Sequence, residues 1–220
     1  MARIIFDLDG TLINSAPDVM GVANAILAEQ GVAPISLAQT RSFIGNGVAT
    51  FVARMRAARA LPETLQAPML DAFRARYDAA VGATLPYPGV ATALARLGAA
   101  GHAIGLCTNK PVSAARAVLG HVGLLPAFDA IIGGDSLALQ KPDPAPLLAV
   151  LDALPPGPAL YVGDSEVDAE TAAAAGLPFL LYTGGYSRGP ASAIAATARF
   201  AHHAALPDLV AAALTEAAGC

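Results

Sequence analysis

The chain has 220 residues, of which 55% are hydrophobic and only 14% are charged, and this composition excludes an intrinsically disordered protein. The formal net charge is −4 and no run of Lys or Arg occurs, which argues against nucleic acid or an anionic membrane as a partner. The length fits one large domain, or a core with a smaller inserted unit.

The N-terminal part of the chain predicts one strand followed by helices. Residues 4–6 form a short apolar run that predicts a buried strand. Between residues 15 and 82 no convincing strand occurs, but apolar residues recur three times at helical spacing. The three sets are Val19, Val22, Ile26 and Leu27; Val48, Phe51, Val52 and Met55; and Leu65, Met69, Leu70, Phe73 and Tyr77. We therefore expect an all-helical insertion after the first strand.

The rest of the chain alternates between predicted strands and helices. Four apolar runs predict strands that are buried on both faces. They span residues 103–107, 130–132, 160–162 and 179–182. Pro86 and Pro88 mark an extended return from the insertion. The alternation indicates an α/β fold with a doubly wound parallel sheet, built from residues 1–14 and 83–220, with residues 15–82 as a separate helical unit.

Polar side chains occur after four of the predicted strands, either where the strand ends or in the loop that follows it. Ligands of doubly wound sheets bind beyond the carboxyl ends of the strands, so we expect these side chains to converge. They are Asp7 and Asp9, Thr108 and Asn109, Lys141, and Asp164 and Asp168. Several carboxylates in one place repel each other unless a cation lies between them. Oxygen ligands suit Mg²⁺, which shares its coordination with a phosphate group.

The spacing of Asp7 and Asp9 suits two chemical roles at one edge of the sheet. One carboxylate can attack phosphorus while the other transfers protons. Gly10 and Thr11 would allow the chain to turn sharply behind them. Together with Lys141, these residues indicate phosphoryl-transfer chemistry.

These motifs resemble those of the haloacid dehalogenase superfamily. The apolar strand followed by Asp-x-Asp-Gly-Thr-Leu occurs at residues 4–12, and the strand that ends in Thr occurs at residues 106–109. The lone Lys is Lys141, and Gly-Asp-x-x-x-Asp occurs at residues 163–168. All four motifs occur in family order. The resemblance implies a Rossmann-like core, with residues 15–82 as an inserted helical cap.

The resemblance also implies a catalytic role for individual residues. Asp7 would form an aspartyl-phosphate. Asp9 would protonate the leaving group and then activate water. Mg²⁺ would be bound by the Asp7 carboxylate, the Asp9 backbone carbonyl and Asp164. Asp168 would orient a metal-bound water, although it could instead simply cap a helix.

Phosphate contacts follow from the same resemblance. The predicted phosphate-binding residues are Thr108, Asn109, Lys141 and Gly10, and Thr108 and Lys141 also count as catalytic. Lys110 precedes a proline at a helix start and fits a surface position as well as a substrate contact, so it stays outside the predicted site.

The predicted substrate is a small phosphorylated metabolite. Asp9 together with Asp164 favours the phosphatase and phosphomutase side of the superfamily. Five segments are most similar to bacterial phosphoglycolate phosphatases, which implies hydrolysis of 2-phosphoglycolate to glycolate and phosphate. They span residues 43–47, 86–90, 107–111, 141–147 and 162–168. The alternatives are a phosphatase or phosphomutase for a sugar phosphate, and a phospho-accepting receiver domain.

The predicted cap offers candidates for a second anion contact. The turn Gly45-Asn46-Gly47 precedes a helix start, and Arg41, Arg54 and Arg56 lie on predicted helices. The same residues also fit a structural turn and a solvated helix face.

Other features predict a cytoplasmic protein, and we expect it to be a monomer or a small homo-oligomer. We find no signal-peptide pattern. Cys107 and Cys220 do not suggest a disulfide framework. The four histidines lack metal-ligand spacing and are expected at surfaces or in loops. They are His102, His121, His202 and His203.

Overall fold

The computed structural model describes residues 1–218, with side chains through residue 215, and its centre is a parallel sheet. The strands are β1 (Arg3–Phe6), β2 (Ile13–Asn14), β3 (Leu85–Pro86), β4 (Ala103–Cys107), β5 (Ala130–Ile132), β6 (Ala159–Gly163), β7 (Phe179–Tyr182) and β8 (Ala198–Phe200). Six of them form one sheet in the order β5-β4-β1-β6-β7-β8, and every neighbouring pair is parallel. The strand order reverses at β1, which places the site at the centre of the sheet.

Helices cover both faces of this sheet. The helices are α1 (Ala16–Glu29), α2 (Leu37–Phe43), α3 (Gly47–Ala57), α4 (Gln66–Tyr77), α5 (Val90–Ala99), α6 (Val112–His121), α7 (Ala145–Ala153), α8 (Glu166–Ala174) and α9 (Leu206–Ala218). Because side chains alternate along a strand, Ile4 and Phe6 pack with α5, α6 and α9, while Ile5 packs with α7 and α8. The sequence-based prediction of a doubly wound α/β fold is confirmed.

The helices α1 to α4 form a hydrophobic cluster of their own. Val22, Phe51, Met55 and Phe73 are buried in it, and the rings of Phe51 and Phe73 lie 5.3 Å apart. One buried residue of α6, Ala114, also belongs to this cluster. Apart from Leu65, which directly precedes α4, the three predicted apolar sets lie on α1, α3 and α4, and each contributes residues to this cluster.

The two segments that connect the sheet to the helices α1 to α4 lie side by side. Strands β2 and β3 form an antiparallel pair, with Ile13 opposite Pro86. Asp18 of α1 then accepts hydrogen bonds from the backbone amide of Ala83 at 3.0 Å and from the hydroxyl of Thr84 at 2.6 Å. The chain therefore leaves and re-enters the sheet through one narrow connection.

The structure differs from the prediction in several elements. Strand β5 is half-buried because it lies at the sheet edge. The sequence analysis missed β8, which has three residues, and α2, in which only Thr40 is buried. It also missed α9, which buries Leu206 and Val210 at helical spacing.

The expectation for the histidines is wrong at one position. His203 is 1% exposed and packs among the rings of Tyr87, Tyr182 and Phe200. Cys107 is a buried free thiol, whereas Cys220 lies outside the described residues. Among residues 1–218, none of the helices combines the length and apolar character that a membrane span needs.

Candidate active site

Four loops at one edge of the sheet surround a cavity. The loops follow β1, β4, β5 and β6, whose carboxyl ends meet because the strands are parallel. The cavity has a volume of about 50 Å³, which leaves room for only a few water-sized groups. Its lining includes the seven polar residues that the sequence predicts to converge: Asp7, Asp9, Thr108, Asn109, Lys141, Asp164 and Asp168.

The side chain of Lys141 connects the first and last of these loops. Its ammonium lies 2.8 Å from Oδ1 of Asp7, 2.7 Å from Oδ1 of Asp168 and 2.7 Å from the hydroxyl of Tyr161. These contacts engage all three N–H donors of the ammonium. Burial alone would lower the pKa of Lys141, but the carboxylates of Asp168 and Asp7 raise it above its ordinary value. Lys141 is therefore a fixed positive charge.

Asp168 is both a helix cap and a partner of Lys141. Its Oδ2 accepts hydrogen bonds from the backbone amides of Asp164 and Ser165 at 3.3 and 3.1 Å, and from the Ser165 hydroxyl at 2.6 Å. Ser165 and Asp168 form the capping box of α8. Burial raises the pKa of Asp168, but Lys141 and the hydroxyl donors outweigh burial and hold that pKa below its ordinary value. The capping role and the contact with Lys141 coexist.

Asp7 and Asp9 bind different lysines. Asp7 contacts Lys141, whereas Oδ1 of Asp9 lies 3.3 Å from the ammonium of Lys110 and also accepts a hydrogen bond from Ser15. Burial raises the pKa of Asp7 to about 7; Lys141 opposes this shift, and neighbouring carboxylates add to it. The two carboxylates therefore have distinct electrostatic surroundings, as separate chemical roles require.

Asp164 has hydrogen-bond donors but no cationic partner among the described side chains. Its carboxylate accepts from the hydroxyl of Thr11 at 2.7 Å and from the backbone amide of Tyr186 at 2.6 Å. Burial, followed by the nearby carboxylates of Asp168 and Asp7, raises the pKa of Asp164 well above its ordinary value. Ionised Asp164 therefore requires a further positive charge nearby.

Three buried carboxylates lie close enough to share a cation. Asp7, Asp164 and Asp168 each offer one oxygen, and these oxygens lie within 4.8 Å of one another. Asp168 is already paired with Lys141 and also accepts from Tyr161 and Ser165, whereas Asp164 has no cationic partner among the described side chains and is therefore more available to a metal. Four carboxylates and two ammonium groups line the cavity, so a divalent cation would balance the charge. The donor set fits a hard cation.

Gly10 has a different role from the predicted phosphate contact. Its backbone amide donates to the carbonyl of Ile13 at 2.9 Å and is therefore already engaged. Its φ is +95°, and an added Cβ would lie 2.9 Å from the carboxyl carbon of Asp164, closer still to an oxygen. Glycine is required here because the turn after β1 must approach Asp164 closely.

Asn109 organises the loop after β4. Its side chain donates to the carbonyls of Gly45 and Lys141, each at 2.9 Å, and accepts from the Lys141 amide at 3.0 Å. Within residues 1–218 the structure records no acceptor for the Asn109 backbone amide. The hydroxyl of Thr108 lies in the same cavity wall and accepts from the amide of Lys110 at 3.2 Å. An amide and a hydroxyl at this position can donate to an anion.

Comparison with known protein families identifies the chain. A model of the haloacid dehalogenase-like hydrolases matches residues 1–176, and a second model, described as HAD-hydrolase-like, matches residues 138–217. The chain belongs to the haloacid dehalogenase-like hydrolase family.

Individual relatives of this hydrolase cover nearly its whole length. A phosphoglycolate phosphatase of Cereibacter sphaeroides is 52% identical over 96% of this chain and 98% of its own. The crystal structure of a predicted phosphoglycolate phosphatase from Haemophilus somnus superposes with a TM-score of 0.88 at 29% identity, covering 94% of this chain and 97% of its own. A CbbY variant from Rhodobacter sphaeroides, solved with xylulose-1,5-bisphosphate, gives a TM-score of 0.77 at 25% identity over 92% and 94% of the two chains.

The sequence analysis missed Lys110 as a site residue of this hydrolase. Lys110 is 6% exposed, lines the cavity, and donates to the hydroxyl of Tyr77 at 2.7 Å. Burial alone would lower the pKa of Lys110, but Asp9 and the Tyr77 oxygen raise it above its ordinary value. A signal was present, because the chain contains only two lysines, Lys110 and Lys141, and both line the cavity.

A second missed residue of the hydrolase is Tyr186, for which the sequence holds no signal that we recognise. Its backbone amide binds Asp164, while its hydroxyl donates to Asn14 at 2.8 Å and accepts from the amide of Ala16 at 3.1 Å. Tyr186 therefore links Asp164, at the carboxyl end of the sheet, to the start of α1.

Two of the three arginines that the sequence analysis named in the helical insertion donate to backbone carbonyls of that insertion. Arg54 donates to the carbonyl of Phe43 at 2.9 Å, and Arg56 donates to that of Leu61 at 2.7 Å. Arg41 is exposed and lies 5.9 Å from the ring centre of Tyr186. In the predicted turn Gly45-Asn46-Gly47, the two glycines line the cavity and Asn46 does not.

Proposed function

We propose that this chain is a Mg²⁺-dependent phosphomonoester hydrolase that works through an aspartyl-phosphate on Asp7 and converts 2-phosphoglycolate to glycolate and phosphate. The observation that carries the proposal is the division of charge in the cavity. Asp7 is paired with Lys141 and Asp9 with Lys110. A nucleophile and a proton donor need such separate surroundings.

In the first step, an oxygen of Asp7 attacks phosphorus and the bond from phosphorus to the ester oxygen breaks. Asp9 gives its proton to the departing alkoxide, so that the alcohol leaves neutral at that oxygen. Lys141 holds the attacking carboxylate in place and offsets the charge on the phosphoryl oxygens. The Thr108 hydroxyl and the Asn109 backbone amide donate to those oxygens.

In the second step, water attacks the phosphorus of the aspartyl-phosphate and Asp9, now ionised, accepts the proton of that water. The bond between phosphorus and the Asp7 oxygen breaks, which releases phosphate and restores the Asp7 carboxylate and the protonated Asp9. The short contact between Asp9 and the Ser15 hydroxyl supports this role because it fixes the orientation of the carboxylate. Two steps replace one difficult displacement.

The carboxylates of Asp7 and Asp164 and the backbone carbonyl of Asp9 would hold Mg²⁺. When bound, the cation would neutralise the buried carboxylates and withdraw charge from the phosphoryl group. Asp168 would act as a positioning residue, since its oxygens are occupied by Lys141, Tyr161 and Ser165.

We further propose that residues 15–82 are a cap over a core of residues 1–14 and 83–220. The separate cluster of α1 to α4 and the paired connections β2 and β3 support this division. Contacts from Tyr77 to Lys110 and from the Gly45 carbonyl to Asn109 close the cap on the site. Such a closure would exclude water from the reaction.

The substrate assignment is supported by the relatives named phosphoglycolate phosphatase and by the small cavity. A sugar phosphate is the second candidate, because the CbbY variant was solved with a sugar bisphosphate. The cap side of the cavity favours the smaller substrate, since it is mostly apolar and offers sugar hydroxyls few partners. Its apolar residues are Val19, Ile44, Val48, Phe51 and Phe73.

A phosphate-release assay tests the proposal. Purified protein should release phosphate repeatedly from 2-phosphoglycolate with Mg²⁺ and stop when a chelator is added, and sugar phosphates should rank lower. A receiver domain would consume about one phosphodonor per chain, and a phosphomutase would interconvert isomers with little phosphate release. A higher rank for sugar phosphates would overturn the substrate while retaining the reaction. A cytoplasmic location and a monomeric or small homo-oligomeric state stay predictions.

A further inference from the structure

We infer that Lys110 is the residue that selects the substrate, by binding a carboxylate on the leaving group of the phosphoester. This inference rests on the proposed function and deepens it. It assigns the part of the site that distinguishes 2-phosphoglycolate from phosphoesters whose leaving group carries no charge. Lys110 follows the phosphate-binding pair Thr108 and Asn109 directly in the chain.

The first observation is the state of the two ammonium groups in the cavity. Lys141 donates to Asp7, Asp168 and Tyr161, and these contacts use its three N–H groups. Lys110 donates only to Asp9 and Tyr77 among the described residues. One N–H of Lys110 is therefore available, and it belongs to a buried ammonium that lines the cavity.

The second observation is the side of the site on which this donor lies. Lys141 contacts Asp7, the attacking carboxylate, and so lies on the nucleophile side. Lys110 contacts Asp9 at 3.3 Å, and Asp9 gives its proton to the ester oxygen. A positive charge next to Asp9 therefore lies beside the leaving group. In 2-phosphoglycolate a single methylene joins the ester oxygen to the carboxylate, which brings that carboxylate within reach of the same region.

The third observation is the lack of a competing partner on the cap. None of the arginines of the cap, a segment that the structure describes throughout, lines the cavity, and Arg54 and Arg56 are engaged with backbone carbonyls. The cap instead presents apolar side chains and the hydroxyl of Tyr77, which holds Lys110 at 2.7 Å. A carboxylate buried in this cavity needs a cationic partner. Of the two cationic side chains that line the cavity, Lys110 is the one with an N–H that the described residues do not engage.

The test compares 2-phosphoglycolate with its neutral amide, 2-phosphoglycolamide, which has the same shape. For the unaltered protein we expect kcat/KM to favour the carboxylate by about 100-fold, the scale of a buried charge pair. In Lys110→Gln and Lys110→Met this ratio should fall to within about threefold of unity, whereas Lys110→Arg should retain a clear preference because it keeps the charge. Tyr77→Phe is the matched control: it removes a partner of Lys110 and keeps the ammonium, so the ratio should persist.

A binding measurement covers the case in which the neutral variants fold poorly. Protein labelled with carbon-13 at the lysine ε-carbons should show two lysine signals, and the one missing from Lys110→Arg belongs to Lys110. Glycolate should shift the Lys110 signal and glycolamide should not. The inference is overturned if Lys110→Gln lowers kcat/KM for 2-phosphoglycolate and for 2-phosphoglycolamide by the same factor. It is also overturned if glycolate does not shift the Lys110 signal. Failure of the unaltered protein to release phosphate from 2-phosphoglycolate would instead sink the proposed function.

Discussion

The ammonium of Lys141 lies 2.7 Å from a carboxylate oxygen of Asp168, and both side chains are almost fully buried. The same ammonium reaches Asp7 at 2.8 Å. One cation therefore links the carboxylate proposed to attack phosphorus with the residue that caps α8. Activity and stability are therefore coupled at Lys141, because its charge is compensated both by the proposed nucleophile and by the residue that caps α8.

Replacing Asp168 with Asn should destabilise the fold and lower activity. The amide NH₂ group would face N–H or O–H donors whichever way it turned. Breaking a buried charge pair in this way costs about 3–5 kcal/mol. Urea unfolding measures the loss. Asp208→Asn is the control, since the pair of Asp208 with Arg96 is exposed and should contribute below about 1 kcal/mol. Equal losses in the two variants would contradict the account.

Gly10→Ala should weaken metal binding as well as the fold. The φ of +95° strains any residue with a Cβ, at about 1–2 kcal/mol, and the added carbon would displace Asp164. The variant should need more Mg²⁺ for half-maximal phosphate release. Gly21→Ala lies within α1 with open space around it and should be neutral or stabilising by about 1 kcal/mol. An unchanged Mg²⁺ requirement in Gly10→Ala would show that Asp164 does not hold the metal.

Asp9→Asn should separate the two steps of the reaction. Acetyl phosphate carries a good leaving group that needs no proton, so the first step should survive, while hydrolysis of the intermediate should slow because no base remains. Rapid mixing should therefore show a burst of about one acetate per active site. With 2-phosphoglycolate the first step itself should fail. Equal impairment on both compounds, without a burst, would remove Asp9 from the role of proton donor.

His203 should make the fold sensitive to mild acid. Its Nε2 donates to the carbonyl of Thr11 at 2.9 Å, and its Nδ1 is buried without a partner, so a second proton would have no acceptor. Burial lowers the pKa of His203 from 6.5 to about 4. Above pH 6.5 both states are neutral and stability is complete. As pH falls from 6.5 toward 4, only the unfolded state takes up a proton, which costs up to about 3 kcal/mol.

Urea unfolding as a function of pH checks this prediction. His203→Phe keeps an aromatic ring and loses the titrating group, so its stability should fall less steeply between pH 6.5 and 4 than that of the unaltered protein. Exposed His202 supplies the control, and His202→Gln should follow the unaltered curve. Identical curves for all three proteins would exclude His203 as the source of acid sensitivity.

The positions of the main site residues were predictable because they depend on short, local rules. Asp7 follows a buried apolar strand, and Asp164 follows another, and parallel strands bring their carboxyl ends together. No long-range contact is needed to infer that these two residues meet. The hydrophobic periodicity of α1, α3 and α4 likewise required only local spacing.

The missed residues depend on contacts between segments far apart in the chain. Lys110 is buried because Tyr77 of the helical insertion covers it, and a Lys before a proline carries no trace of that contact. Tyr186 binds Asp164 through a backbone amide, which every residue except proline possesses. The predicted phosphate contact of Gly10 did not anticipate a similar effect. The Gly10 backbone amide already donates to a carbonyl that a tight turn brings close to it.

Chemical trapping on Asp7 tests the central claim most directly. Unaltered protein, mixed with 2-phosphoglycolate and Mg²⁺ and quenched in acid within one turnover, should carry an acyl phosphate. Borohydride reduction should then convert residue 7 to homoserine, detectable by mass spectrometry of the N-terminal peptide, and Asp7→Asn should show neither product. Rapid phosphate release with no modification at residue 7, or with homoserine at another aspartate, would contradict the account.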